Sequence, residues 1–262
     1  MALPFRRLLE RLSRGVVIKR RLPAHFGRRQ MYLSPANQLS VLKFGDAKFV
    51  ASLLGFAQRF VRTDDVVWDI GANMGVFSVP AAHRAKTVIA FEPDPFNLEL
   101  LHRTQSVNRD LSWEVVPAAM SNVVGTSKFA IPERGRAANS LAGVNFGTQT
   151  GGVRQEYTVI TITADWALEH YPAPDFVKCD AEGAETWILE GATRLLAEAR
   201  PAIVIEVSGV NGPGCAEIFR ANRYVMMSAY PKVDRAGIVD DISDVWDVLA
   251  IPEEKLDQYL GR

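Results

Sequence analysis

Cysteine is scarce in this chain: Cys179 and Cys215 are the two among 262 residues, and they stand at no metal-binding or redox spacing. That excludes a disulfide framework and suits a reducing compartment. Histidine is nearly as sparse, and His25, His83, His102 and His170 have no spacing that would ligate a metal. No run approaches the roughly 18 apolar residues of a membrane span. No hydrophobic core of a secretory signal appears near Met1. Net charge is zero, with 30 basic and 30 acidic residues, so no global electrostatic argument favours nucleic acid as a partner. No internal repeat is present. These absences lead us to expect a soluble, cytoplasmic protein. Its length fits one domain with a modest extension, and 48% hydrophobic residues suffice for a full core.

The neutral balance hides an asymmetry. The first 29 residues hold nine Arg or Lys and one acid, Glu10, which leaves 21 basic against 29 acidic residues, a net of −8, in the rest. Phe5, Leu8, Leu9, Leu12 and Val16 recur at helical spacing with Arg6, Arg7, Arg11 and Arg14 between them, the pattern of a short basic amphipathic helix. A transit peptide, a weak contact with an anionic membrane surface and a helix capping the domain all fit it. We therefore divide the chain into a basic N-terminal extension, residues 1–45, and a main domain, residues 46–262. Residues 30–45 carry no legible signal, and residues 46–62 read as a helix covering a sheet.

From there strands and helices alternate, which argues an α/β domain with a mostly parallel sheet and helices on both faces. Strands are expected at residues 66–70, 87–91, 113–117, 176–180 and 202–207. Helices are expected from about residue 74, at 95–108, 163–170, 182–199 and 215–222. Pro80 falls inside the first of these, so that helix is kinked or starts late. Segments 224–229 and 245–251 lack a long helix between them, so the final strand should run antiparallel. Residues 122–162 break the rhythm with a β excursion whose long loop carries Arg134, Arg136, Asn139 and Ser140. Long loops in compact domains are often functional, and this one reads as a flap over a substrate.

The domain is organised around Val66-Val67-Trp68-Asp69-Ile70-Gly71-Ala72-Asn73-Met74-Gly75. A buried strand ends at an acid and turns sharply towards a helix. Gly71 and Gly75 allow positive φ and a close approach of ligand to main chain, and a helix start offers unpaired N–H groups. Glu92 follows the next strand about 20 residues later, where open α/β folds bind ribose hydroxyls. A tight βα turn beside a surface acid would give the same residues without any ligand.

Three blocks then carry a resemblance: Asp-Ile-Gly-Ala-Asn-Met-Gly at 69–75, Phe-Glu-Pro-Asp-Pro at 91–95 and Lys-Cys-Asp-Ala-Glu-Gly-Ala-Glu at 178–185. Over about residues 64–252 the chain resembles the FkbM family of S-adenosylmethionine-dependent methyltransferases, mostly O-methyltransferases. The resemblance implies a Rossmann-like class I methyltransferase sheet with an antiparallel final strand. It assigns Asp69, Gly71, Asn73, Gly75 and Glu92 to the cofactor. It also implies a small-molecule or glycan acceptor, a hydroxyl on a sugar or a secondary metabolite.

The residues themselves support the same cofactor. Asp69 is placed to take an amine, the Gly71–Gly75 backbone a carboxylate and Glu92 a ribose diol. Ala118, Ala119 and Ser121 fall where adenine would lie. A nicotinamide cofactor, and with it an oxidoreductase, is the alternative. Its G-x-G-x-x-G turn needs a glycine where Asn73 stands. A non-catalytic module that only binds an adenosyl ligand is a second alternative. No Walker lysine follows the turn, so a triphosphate is not expected. Asp180, at the end of the fourth strand, is the candidate general base. Lys178 shares its strand face and either steadies Asp180 or binds substrate. Glu206, at the end of the fifth strand, faces the same site, as does the 206–208 strand end generally. Glu182, Asn139 and Ser140 are candidate acceptor contacts. Glu182 and Glu185 would also suit the first turn of a helix for its dipole alone. Asp180 with Glu206 or Glu182 could hold a divalent ion through oxygens, but no metal is expected.

Overall fold

The computed structural model describes residues 12–43, 51–133, 136, 139–143, 152–207, 209–230 and 233–261. Most of the expected N-terminal amphipathic helix, the start of the 46–62 helix, Arg134 and Ser208 lie outside them.

The described chain opens with an antiparallel hairpin of β1 (Ile18–Arg21) and β2 (Gln30–Leu33). Helix α1 (Ala51–Phe60) follows. Next come β3 (Val66–Ile70), α2 (Ser78–Ala82), β4 (Thr87–Phe91), α3 (Pro95–Ser106) and β5 (Trp113–Val116). All five residues of β3 are buried, as expected of a parallel strand covered on both faces. The Trp68 indole N–H donates to the Pro172 carbonyl at 3.0 Å, so the largest side chain of the strand has its polar atom satisfied. Helix α3 starts where Asp94 accepts a bond from the Phe96 N–H at 3.0 Å, with Pro95 at the first helical position, a strong start signal.

The excursion holds β6 (Ala119–Met120), β7 (Gly125–Pro132), β8 (Ser140–Leu141) and β9 (Val153–Ile162), in the spatial order β6-β9-β7-β8. The domain resumes with α4 (Ala164–His170), β10 (Phe176–Cys179), α5 (Glu185–Glu190), β11 (Ala202–Glu206) and α6 (Gly212–Ala221). It closes with β12 (Tyr224–Ser228), β13 (Ile238–Val239) and β14 (Asp247–Pro252). The main sheet runs β13-β12-β14-β11-β10-β3-β4-β5. Strands β11, β10, β3, β4 and β5 pair in parallel, and β14 is inserted antiparallel to both β11 and β12. This is the Rossmann-like α/β sheet with an antiparallel last strand that the sequence led us to expect.

Apolar clusters lie on both faces. One joins Trp68, Ile70, Ile188 and Phe219; the other joins Val67, Phe60, Phe77 and Phe176. In the second, the Phe176 ring lies 6.0 Å from Phe60 and 6.3 Å from Phe77, within the range of favourable aromatic packing. Hairpin residues Phe26, Met31 and Leu33 belong to that same cluster.

Two helices differ from expectation. The first after β3 begins at Ser78 rather than near residue 74. Pro80 then sits in its first turn, and its missing N–H leaves a single gap between the bonds from Val79 to Gly75 and from Ala81 to Phe77. The long helix expected over 182–199 is two pieces, α5 and a π-helical turn at Leu195–Ala199. The break falls at Gly191, where a Cβ would stand 2.4 Å from the Ser121 carbonyl oxygen. The Asp165 carboxylate restarts the chain by accepting from the N–H groups of Arg194 and Leu195, at 2.9–3.0 Å.

Candidate active site

Strand β3 continues to β4 on one side and is flanked by β10 on the other. Beyond the carboxyl ends of these strands, at the reversal where open α/β folds hold ligands, lies a cavity of about 310 Å³. That is near the lower end of the size of small-molecule sites. Its wall includes Glu92 at one end and Lys178, Asp180, Glu182, Glu206 and Asp247 at the other.

At the Glu92 end the polar groups are bonded to one another. Glu92 is buried and accepts from the Asn73 N–H at 2.7 Å and the Asp94 N–H at 2.8 Å. Burial nevertheless pushes its carboxyl up to about 8, against the pull of those two N–H groups. Asn73 holds a left-handed φ of 52°, which asparagine tolerates. Asp94 accepts from the Asn139 amide at 2.7 Å and pairs with the Arg136 guanidinium. Thus two residues of the excursion loop close over the start of α3. Ala118, Ala119, Met120, Phe129 and Leu141 give this end an apolar wall.

The turn after β3 lines the cavity through Gly71, Ala72, Asn73 and Met74. The N–H groups of Gly71 and Ala72 both donate to the Phe91 carbonyl at 3.0 Å, that of Asn73 to Glu92, and that of Gly75 to the Ala72 carbonyl at 2.8 Å. These four donors bond within the protein, and the helix that follows has five residues. Gly71, with φ of 73°, serves to let chains cross: a Cβ there would stand 2.0 Å from the Asp180 carbonyl oxygen.

Asp69 stands behind this turn. It is wholly buried and does not line the cavity. One carboxylate oxygen accepts from the Ser78 hydroxyl at 2.5 Å, and the other faces the Lys178 ammonium at 3.5 Å. Burial raises its pKa, opposed by Lys178 and Ser78. Lys178 in turn donates to the Gly71 carbonyl at 3.1 Å and lies 3.4 Å from an Asp180 oxygen. It thus makes one hydrogen bond and stands at ion-pair distance from two carboxylates. Burial disfavours the charge of Lys178, but Asp180 and Asp69 outweigh it and hold its pKa above the ordinary lysine value. Of the two roles expected for Lys178, the geometry fits steadying Asp180.

Around Asp180 the carboxylates crowd. Glu182 and Glu206 keep exposed surface. Yet burial of their carboxyl groups, reinforced by repulsion from Asp180, raises Glu182 to about 8 and Glu206 to about 7. Glu182 lies in a turn at φ 50°, ahead of α5 rather than inside it. Glu185 turns away from the cavity, its carboxylate bonded to the Gly183 N–H and the Asn211 amide. Ser121 and Ser140 are buried but absent from the cavity wall. Ser121 instead pairs through its backbone N–H with the Ile162 carbonyl, and Ser140 belongs to β8. Among the described residues no group of three or more His, Cys, Asp or Glu is arranged to hold a metal ion.

Several wall residues escaped the sequence reading. Asp247 faces the cavity because β14 pairs Glu206 with Asp247, and antiparallel partners share a face. Ser52, Leu53 and Phe56 of α1, and Asn37 and Gln38 from the segment after the hairpin, complete the wall. Helical periodicity did mark the apolar face of α1. Nothing in residues 30–45 marked Asn37.

A parallel sheet with an antiparallel last strand, and a cavity between a buried acid after the second parallel strand and a lysine-steadied acid after the fourth, define the class I methyltransferase type. Within that class the chain belongs to the FkbM family: residues 69–249 match the methyltransferase FkbM domain. A hexuronic acid methyltransferase, AglP of Haloferax volcanii, is 31% identical over 150 residues, 56% of this chain and 58% of the relative. The match thus spans under two thirds of that relative. Solved structures overlap more loosely. A methyltransferase FkbM from Methylobacillus flagellatus has 15% identity and a TM-score of 0.47, covering 83% of this chain and 58% of that one. A precorrin-6y C5,15-methyltransferase from Geobacter metallireducens has the same identity and TM-score, covering 80% and 90%. No helix among the described residues is long and apolar enough to cross a membrane.

Proposed function

We propose that this chain uses S-adenosylmethionine to methylate a hydroxyl group on a sugar or glycan. The observation that carries the proposal is the single cavity with unlike ends, Glu92 and an apolar wall at one, Asp180 and Glu206 at the other. Family membership and the sugar-acid acceptor in the name of the Haloferax relative agree with it.

The residues present fit the cofactor. Glu92 offers its carboxyl oxygens to a ribose diol, and the wall from Ala118 to Met120 suits an adenine ring. The amide oxygens of Asn37 and Asn139, two further wall residues, are buried without a hydrogen-bond partner in the protein, a state that costs free energy until a donor arrives. When bound, the cofactor supplies a methyl group on a sulfonium. The protein's part is to hold the acceptor hydroxyl in line, where positioning supplies much of the rate, and to take its proton. Asp180 is our base: its side chain is partly exposed, 28%, and lies 3.4 Å from the Lys178 ammonium, which orients it. Glu206 and Asp247 accept the acceptor's other hydroxyls, and Glu182 stands at the mouth.

Incubation with methyl-labelled cofactor and fractionated glycans and polar metabolites tests this reading. Label is expected in a carbohydrate fraction and should survive mild alkali, as an ether does. Alkali-labile label would point to a carboxyl acceptor. No calorimetric binding of S-adenosylhomocysteine by folded protein would end the reading altogether.

A further inference from the structure

Asn37 lies ahead of the family-matched residues 69–249, in a stretch whose sequence signals nothing. It is 3% exposed, yet it lines the cavity. Its amide nitrogen donates to the Asn73 side-chain oxygen at 2.5 Å and to the Asn97 side-chain oxygen at 2.7 Å. Asn73 is the residue whose backbone N–H donates to Glu92. Asn97 follows the cap of α3. One side chain thus ties the turn after β3 to the start of the helix after β4, with the Glu92 carboxylate between them. The segment itself is held from a third side. The Arg136 N–H from the excursion donates to the Ala36 carbonyl at 3.0 Å, and the Asn37 N–H donates to the Ser34 carbonyl at 3.1 Å. With both N–H bonds of the amide spent, its oxygen is left buried and unpaired.

We infer that Asn37 is a cofactor-site residue supplied from outside the family domain. Its nitrogen positions Asn73 and Asn97 around Glu92, and its oxygen is an acceptor for an N–H or O–H of the adenosyl ligand. The inference rests on the proposed use of S-adenosylmethionine. It assigns the segment between hairpin and α1 to the binding site rather than to an appendage. Buried amide oxygens are normally paired, and this one belongs to a residue that lines the cavity.

Calorimetry with S-adenosylhomocysteine on the full chain tests it, comparing wild type with Asn37→Ala, Asn37→Ser and Asn108→Ala. Asn108 anchors the same hairpin far from the cavity, donating to the Gln30 and Thr104 carbonyls at 2.8 Å each. Both Asn37 variants are expected to bind about tenfold more weakly, the scale of one buried hydrogen bond lost. Asn108→Ala should lower the melting temperature and leave the Kd within about twofold. Folded Asn37 variants that bind as wild type does, or an Asn108→Ala that weakens binding equally, would overturn the inference. Should the Asn37 variants not fold, the side-chain amide resonances of Asn37 in the wild type serve instead. They are expected to shift on titration, and their standing still would be decisive against it. Absence of binding by the wild type would refute the cofactor reading, a separate outcome.

Discussion

The two ends of the cavity are built on opposite terms. At the Glu92 end, acid, amides and main-chain N–H groups bond to one another, and the side chains are buried. At the Asp180 end, four carboxylates share one lysine, two of them with pKa values pushed well up. The first end is ordered before a ligand arrives, with the Asn37 and Asn139 amide oxygens left for a donor, which keeps the ordering cost of binding low. The second is electrostatically unfinished, and a hydroxyl-bearing ligand would relieve it by donating to those oxygens. Under the proposed function the first end is a fixed cofactor site and the second an adaptable acceptor site.

The contrast can be broken by substitution, and the greatest effect is expected at the unfinished end. Asp180→Asn should slow methyl transfer by about 10²–10⁴-fold, the usual worth of a general base, while S-adenosylhomocysteine binds within about twofold. Labelled-methyl assays beside calorimetry would read both. Removing Lys178, as in Lys178→Met, strands Asp69 in the core. We expect a loss of about 3–5 kcal/mol of stability, the cost of leaving a buried charge unpaired, measured by denaturant unfolding. Gly71→Ala places a Cβ against the Asp180 carbonyl oxygen, and about 1–3 kcal/mol is expected from overpacking, with poorer cofactor binding because β3 and β10 must separate.

The smallest effect is a pH slope. Glu92 and Glu182, at about 8, and Glu206, at about 7, keep protons in the fold that an ordinary glutamate, at 4.5, has released. Where the native state holds more protons than the unfolded chain, stability falls as pH rises. The ligand-free protein should therefore melt lower near pH 8 than near pH 5, and Glu92→Gln should flatten that trend. A melting temperature that rises over the same interval would contradict the picture of Glu92.

Periodicity and strand-end position made most of the sheet legible. Runs such as Val66–Ile70 declare a buried strand, and the missing helix before residue 247 declares a strand that turns back. The strand-end acids Glu92, Asp180 and Glu206 were likewise legible. What stayed hidden depended on partners distant in sequence. The contacts of Asp69 with Ser78 and Lys178 could not be read from its strand-end position. Nor could the bonds from the Gly71 and Ala72 N–H groups to the Phe91 carbonyl. Asn37 and Asp247 sit in stretches with no local signature, because their roles come from contacts with residues 73, 97 and 206 across the fold. The split of the 182–199 helix at Gly191 was hidden for the same reason, its cause being the Ser121 carbonyl from another layer.

Strand β14 has a further consequence for biogenesis. It inserts between β11 and β12, so the neighbour of β11 is made after β12 itself. During vectorial synthesis β11 waits with an open edge while about 40 residues follow, a state prone to mispairing and to capture by chaperones. Because that strand also brings Asp247, this part of the cavity wall cannot be complete until the last strand has emerged.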